Sequence, residues 1–345
     1  RINAKTRISS TENYFQNLRL RSPQDGKEYD IAGLPANALI SNVSFSLDSK
    51  YIAFTHTNDS GVSLWLLDIA AKSAKQLTDY DLNAVLNDPY QWLRNSQGFL
   101  ISKSPANRPA LIDHSKDLPT GPVVSTSEGK VSQLRTYQDL LKNPQDEQDF
   151  VSLATAELYW IDLQGQQTKF LSADLYTQAN VSPDGKYVLV SKLKKPFSYV
   201  VAYNSFPQEA NVYAIDGSLE QKVNETPLME IMPKGFSSTR PGKRMLTWRA
   251  DKPNTLFFVQ ALDGGDASKP ADFRDELFTW EYPFSAEPKS LTKVKDRFAG
   301  IIWGNDTYAL VSSSWYDTRN SKSFVLNPTT GDARLLIDRN SQDVY

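Results

Sequence analysis

The chain has 345 residues, 40% of them hydrophobic and 11% aromatic, and 38 Lys and Arg stand against 40 Asp and Glu for a formal charge of −2; this suffices for a large core and argues against a nucleic-acid or membrane-surface partner. No apolar run approaches a membrane span, and Arg1 to Arg7 do not resemble a signal peptide, so any targeting segment is expected to have been removed or to lie upstream. Cysteine is absent, which excludes disulfides, thiolate nucleophiles and Cys-based metal sites and leaves the compartment open.

In chain order, Asn13 to Leu20 and Lys27 to Ile31 read as the two outer strands of a blade that lacks its inner strands, joined across residues 22–26. Phe45-Ser46-Leu47-Asp48-Ser49 then leads into the apolar run Tyr51 to Phe54, and this phrase of turn and strand returns at Trp92, Val181, Trp248 and Trp303. Its clearest copy is Ser182-Pro183-Asp184-Gly185 before Tyr187 to Val190. Proline presets φ, aspartate can bond the backbone two residues on, and glycine tolerates φ > 0. The uncharged strand that follows suits burial on both faces. A second phrase, at residues 63–68, 157–162, 211–216, 276–281 and 323–327, reads as the third strand of each blade. The copies start roughly 47, 89, 67 and 55 residues apart, a spacing expected of four-stranded propeller blades with insertions. The fold expected is all-β: an incomplete β-propeller with about five recognisable blades, a partial first blade and one helical insertion.

The insertion spans residues 103–150 and interrupts the blade that starts near Trp92. Leu134, Tyr137, Leu140 and Leu141 share one helical face, and Thr136 with Asp139 gives a helix start, so the single main helix is expected within 133–150. It either covers a site or partner or packs on the rim of its own blade. The connection from Lys194 to Pro207 is richer in aromatics than a solvated turn needs, so something covers it. Residues 226–244 bring Arg240, Lys243 and Arg244 close together before a strand, and Asp263 to Ala267 form a tight glycine turn.

Familiar chemistry is missing. The sequence has no Gly-x-Ser-x-Gly elbow, no His-Glu-x-x-His, no phosphate-binding glycine loop and no dinucleotide fingerprint. His56, after a strand end, and His114, in the insertion, are expected to be surface or rim residues, and Asp263 with Asp266 to be turn residues and not a glycosidase pair. No catalytic residue, metal site or cofactor is expected.

The runs Leu134 to Lys142, Lys195 to Tyr199, Met245 to Ala267, Ser314 to Arg319 and Asp338 to Tyr345 resemble the propeller half of glutamyl endopeptidases, serine peptidases of the prolyl oligopeptidase class known from chloroplasts and with bacterial relatives. The resemblance covers nearly the whole chain. It implies a propeller of about seven blades that restricts which peptides reach an α/β-hydrolase domain carrying a Ser-Asp-His triad. Measured against it, residues 1–345 are expected to be a single propeller fragment without the last blades and the hydrolase domain, inactive alone. The compartment would be periplasmic or extracellular in a bacterium and a plastid in a plant.

The function expected is therefore the non-catalytic, substrate-filtering part of a serine endopeptidase that cleaves after Glu, with a peptide substrate and the hydrolase domain as partners, and neither nucleic acid nor membrane. A stand-alone propeller scaffold for protein interaction is the alternative, and a propeller glycosidase lacks the inward carboxylates it would need. A cation must meet the Glu carboxylate, and arginine does so best because its planar fork binds both oxygens. Within the family-like motifs Arg135, Lys195, Arg240 and Arg319 are the candidates for substrate binding. Each could instead serve a surface ion pair or a stacked aromatic. The first three are expected at one mouth of the channel, unpaired by carboxylates and open to solvent.

Overall fold

In the computed structural model, which describes residues 13–112, 137, 139–233 and 235–343, the repeated phrase folds as its turn chemistry requires. Ser182 Oγ donates to Asp184 Oδ1 at 2.6 Å and accepts from the Tyr187 amide at 3.0 Å, while Asp184 Oδ1 accepts from the Lys186 amide and Gly185 takes φ +73°. The Phe45 copy repeats this, with Ser46 Oγ bonding Asp48 Oδ1 at 2.7 Å and the Tyr51 amide at 3.0 Å, and with Ser49 in place of glycine at φ +57°. Each turn reverses the chain from the end of a first strand into a second.

The described residues form one two-stranded sheet and five four-stranded antiparallel sheets, each meandering in sequence order. Sheet I pairs β1 (Arg19–Arg21) with β2 (Glu28–Asp30), the outer-strand hairpin of a partial blade. Sheet II holds β3 (Ile40–Phe45), β4 (Tyr51–Asn58), β5 (Gly61–Asp68) and β6 (Ser73–Gln76). Sheet III holds β7 (Tyr90–Trp92), β8 (Gly98–Lys103), β9 (Ala156–Asp162) and β10 (Gln167–Asp174). Sheet IV holds β11 (Tyr176–Val181), β12 (Tyr187–Leu193), β13 (Gln208–Ala214) and β14 (Leu219–Thr226). Sheet V holds β15 (Arg244–Trp248), β16 (Thr255–Ala261), β17 (Asp275–Glu281) and β18 (Lys289–Val294). Sheet VI holds β19 (Arg297–Trp303), β20 (Ala309–Trp315), β21 (Asn320–Leu326) and β22 (Ala333–Asn340). All five phrase copies begin on the last residue of a first strand, and the second phrase falls on each third strand.

Neighbouring sheets share cores, and the alternation of side chains along a strand decides which core each residue joins. In β8, Phe99 and Ile101 pack toward sheet II while Leu100 packs toward sheet IV. In β12, Val188 and Val190 join the core with sheet III, and Leu189 joins the core with sheet V. In β16, Leu256 faces sheet IV, and Phe257 and Val259 face sheet VI. The tryptophans that open two copies clip first strands together, Trp92 Nε1 donating to Ser44 Oγ at 3.1 Å and Trp248 Nε1 to the Asn180 carbonyl at 2.8 Å. The series is not closed: on sheet VI, Ile302, Leu310 and Ile337 share a face by register and are exposed.

Two local expectations change. The helix is α1 (Pro144–Ala154), later than expected, and Leu140 to Lys142 are not helical. Asn143 caps it by accepting from the Asp146 amide at 2.9 Å, and Pro144 fits the first turn, a stronger start than Thr136 with Asp139, whose φ is +54°. His56 is no rim residue. It lies inside β4 at 4% exposure because pairing with β5 continues to Asn58 and Gly61, and its Nδ1 is 2.9 Å from Tyr80 Oη. Burial lowers its pKa, so it is held neutral there. His114 falls outside the described residues.

A buried ionic cluster joins sheets V and VI. Arg297, at the start of β19, donates through Nη2 to both oxygens of Asp263 at 2.8 and 2.6 Å and through Nη1 to Asp275 Oδ1 at 3.0 Å. Arg274 Nη1 reaches Asp263 at 3.0 Å, and Arg244 Nη2 lies 2.5 Å from Asp275 Oδ2. Both carboxylates have wholly buried side chains. Burial pushes the Asp263 pKa up, but hydrogen bonds from Arg297 and Arg274 outweigh it and hold the carboxyl below its usual range.

Three outcomes follow from these packings. Asp263→Ala leaves Arg274 without its carboxylate and Arg297 with only one of its two, and should cost about 3–5 kcal/mol in urea unfolding. Because the folded pKa of Asp263 is depressed, its contribution is complete above the unfolded pKa near 3.8 and is lost as pH falls through the folded value, so Asp263→Asn should flatten stability against pH in that acid window. Asn143→Ala should cost about 1 kcal/mol by the same measurement, through the lost cap alone.

Candidate functional site

The meander sorts the connections into two kinds. Those between first and second strands, and between third and fourth, emerge at one end of the sheets and take four to seven residues each. At that end successive sheets touch turn to turn, the Asp48 amide meeting Ser96 Oγ at 3.2 Å, the Asp184 amide the Pro253 carbonyl at 3.1 Å, and Lys252 Nζ Asp306 at 2.6 Å. The opposite end receives the connections between second and third strands and between sheets. All the long ones are there, at residues 77–89, 104–155, 194–207, 227–243 and 262–274, together with the short 316–319.

At this second end α1 covers the aromatic connection. Phe150 stands edge-on to Phe197 and Phe206, with ring centroids 5.5 and 6.2 Å away, over a core that includes Ala154, Leu175, Leu193 and Val201. The insertion leaves sheet III yet packs on sheet IV, so it does not sit on the rim of its own blade alone. Asn83 Nδ2 ties the end of α1 back by donating to the Leu153 and Thr155 carbonyls at 2.9 and 3.0 Å.

The four candidate cations meet different fates. Arg135 lies outside the described residues. Lys195 is paired, its Nζ 3.6 Å from Glu147 of α1 and 5.5 Å from the Phe197 ring centroid, which corrects the expectation that it is free; the helix delivers the carboxylate. It borders a cavity of about 810 Å³ between α1 and residues 105–112. Arg240 is half-buried with no carboxylate partner among the described residues; its Nη2 is 3.5 Å from the Pro227 carbonyl, and burial lowers its pKa. Arg319, at φ +61°, stacks its guanidinium 3.7 Å from the Tyr316 ring centroid and meets no carboxylate among the described residues. Lys195 and Arg319 line separate cavities. Lys243, which the sequence places beside Arg240 and Arg244, turns away to the Val223 carbonyl at 2.9 Å and the Trp280 ring at 4.1 Å.

Arg319 belongs to a cavity of about 450 Å³ between sheets V and VI, lined also by Arg244, Arg297, Phe236, Trp315, Tyr316 and five serines, with no acidic side chain among its walls. Arg244 and Arg297 occupy equivalent positions, the first residues of β15 and β19. Aligning the repeats on those strand starts would have found the pair, which motif reading missed. Asp263 does more than shape its turn, since it anchors the Arg297 wall of this cavity. Gly265, at φ +81°, lets that turn approach residue 239 so closely that a Cβ would lie 2.0 Å from the Thr239 carbonyl oxygen. Among the described residues no group of His, Cys, Asp or Glu could hold a metal, and no helix is long and apolar enough to cross a membrane.

No family model matches the chain. It is 33% identical over 363 residues to a probable chloroplastic glutamyl endopeptidase of Oryza sativa subsp. japonica, covering 100% of this chain and 38% of that protein. To a protein of the same description from Arabidopsis thaliana it is 36% identical over 332 residues, 92% of this chain and 34% of the relative. Among solved structures, an oligogalacturonate lyase in complex with manganese superposes with a TM-score of 0.54 at 10% identity over 93% of this chain and 72% of the other, a likeness of fold alone. The chain is thus an incomplete β-propeller related by sequence to the glutamyl endopeptidases, and it spans about a third of the length of the curated relatives it matches.

Proposed function

We propose that this chain is the substrate-filtering propeller of a serine endopeptidase that cleaves peptides after glutamate, and that it performs no bond-breaking step itself. The observation that carries this reading is the match of the whole chain to about a third of two probable glutamyl endopeptidases. The arrangement of connections supports it: one end of the sheets is closed by tight turns, and the other gathers α1, the aromatic connection and the basic residues Lys195, Arg240 and Arg319. The second end is the one that faces the α/β-hydrolase domain and the incoming peptide. Selection of acidic peptides falls to Arg240 and Arg319, whose guanidiniums meet no carboxylate among the described residues, more than to Lys195, which would first have to leave Glu147.

The 345-residue chain should neither hydrolyse a Glu-containing chromogenic peptide nor be labelled by a serine-reactive fluorophosphonate, and the gene should encode a Gly-x-Ser-x-Gly hydrolase domain beyond it. Stoichiometric labelling of a serine in this chain would overturn the division of labour, and a gene without such a domain would favour a stand-alone interaction scaffold. In the full-length enzyme Arg240→Ala should lower kcat/KM for Glu substrates by about tenfold while leaving a Gln analogue nearly unchanged. Equal losses on both would assign Arg240 a structural role.

A further inference from the structure

We propose that the cavity between sheets V and VI binds the carboxylate of an acidic peptide side chain, with Arg319 as its donor, Arg244 as a supporting charge and Phe236 and Tyr316 as an aromatic edge. The inference deepens the filtering role and rests on that reading for its biological meaning, though the binding itself does not.

The charge of the site is built in. Three guanidiniums, of Arg244, Arg274 and Arg297, share two carboxylates, of Asp263 and Asp275, which leaves one positive charge uncompensated within the buried cluster. Arg319 adds a second on the cavity wall. Arg244 is held in place by Nη1 donating to Thr239 Oγ1 at 3.0 Å and by Asp275, yet its buried Nε has no hydrogen-bond partner. That donor is shielded from solvent, so Arg244 contributes its charge to the cavity and not a hydrogen bond. Arg297 offers no donor either. Its donors are occupied by Asp263, Asp275 and the carbonyls of Ser237 and Arg274.

Chemistry also selects among anions. A phosphate is usually cradled by several backbone amides. Five of the amides around this cavity are taken: Ser238 N–H by the Gly235 carbonyl, Thr239 N–H by that of Gly265, Arg319 N–H by that of Tyr316, Ser341 N–H by that of Arg319, and Tyr316 N–H by Ser237 Oγ. The Arg319 guanidinium on its wall is planar and matches a planar carboxylate. Beside it the Phe236 and Tyr316 rings stack with centroids 4.2 Å apart, and Phe236 is 72% exposed, an apolar surface for the neighbouring peptide. A cavity of about 450 Å³ has room for a residue or two of extended peptide and not for a folded partner.

The test is calorimetric titration of the 345-residue chain with acetyl-Ala-Glu-Ala-amide and with its Gln counterpart. The Glu peptide should bind about tenfold more tightly or better, and the difference should shrink with added salt. In Arg319→Gln, checked for fold by near-ultraviolet circular dichroism, the difference should largely close, whereas Phe236→Ala should weaken both peptides alike. Equal affinity of the two peptides for the unaltered chain, or binding of neither, overturns the proposal without need of any variant. Inorganic phosphate displacing the Glu peptide at comparable concentration would overturn the peptide assignment. A gene lacking a hydrolase domain would sink the peptidase reading yet leave this binding result standing, so the two can fail separately.

Discussion

Everything in this molecule depends on second strands that are apolar on both faces. Phe99, Leu100 and Ile101 are all almost completely buried, yet they serve two different cores, and the same holds for Val188, Leu189 and Val190. A strand of this kind cannot be satisfied in a two-layer sandwich that leaves one face to water; it needs a sheet on either side. The radial series of sheets is the packing that supplies this at every step. Where the series ends, on sheet VI, the outward face is left with Ile302, Leu310 and Ile337 in solvent.

The same topology separates short connections from long ones. A meander of four strands sends alternate connections to opposite ends, so insertions can accumulate at one end without disturbing the turn chemistry at the other. Ser182 with Asp184, and Ser46 with Asp48, keep one end short and mutually bonded. The other end is free to vary, and there α1 crosses from its own sheet to the next while the 262–274 connection brings Asp263 beneath Arg297. The ionic cluster is therefore a consequence of placing arginine first on two successive inner strands and burying two aspartates to meet it. The residual positive charge among its described residues and Arg319, which meets no carboxylate among them, give the neighbouring cavity a positive wall.

The fold was legible in the sequence because the information is local and repeated: a polar turn, an uncharged strand and an aromatic third strand recur five times, and in two copies the turn is Ser-x-Asp. The helix was misplaced by several residues because an apolar face at 137–141 outweighed the sharper start at Asn143 and Pro144, when Tyr137 and Leu141 in fact contribute to the core around Phe197 from an irregular segment. His56 was taken for a rim residue because sequence does not reveal that β4 continues past it. Of the site, Arg319 was found through its motif, whereas Arg244 was seen only as part of a basic run and Arg297 not at all. Their roles arise from long-range partners, Asp263 and Asp275, which no spacing rule connects to them. Lys195 shows the converse, since Glu147 reaches it from the helix across about 50 residues of sequence.

Hydrogen–deuterium exchange compared between this chain and the full-length protein tests most directly whether the end bearing the long connections is the working end. Protection gained in the full-length protein should be confined to residues 194–207, 227–243 and 316–319 and to α1, with the turns at 46–50, 182–186 and 304–308 unchanged. Protection gained instead at those turns, or at neither end, would contradict a filter whose recognition residues face the catalytic domain.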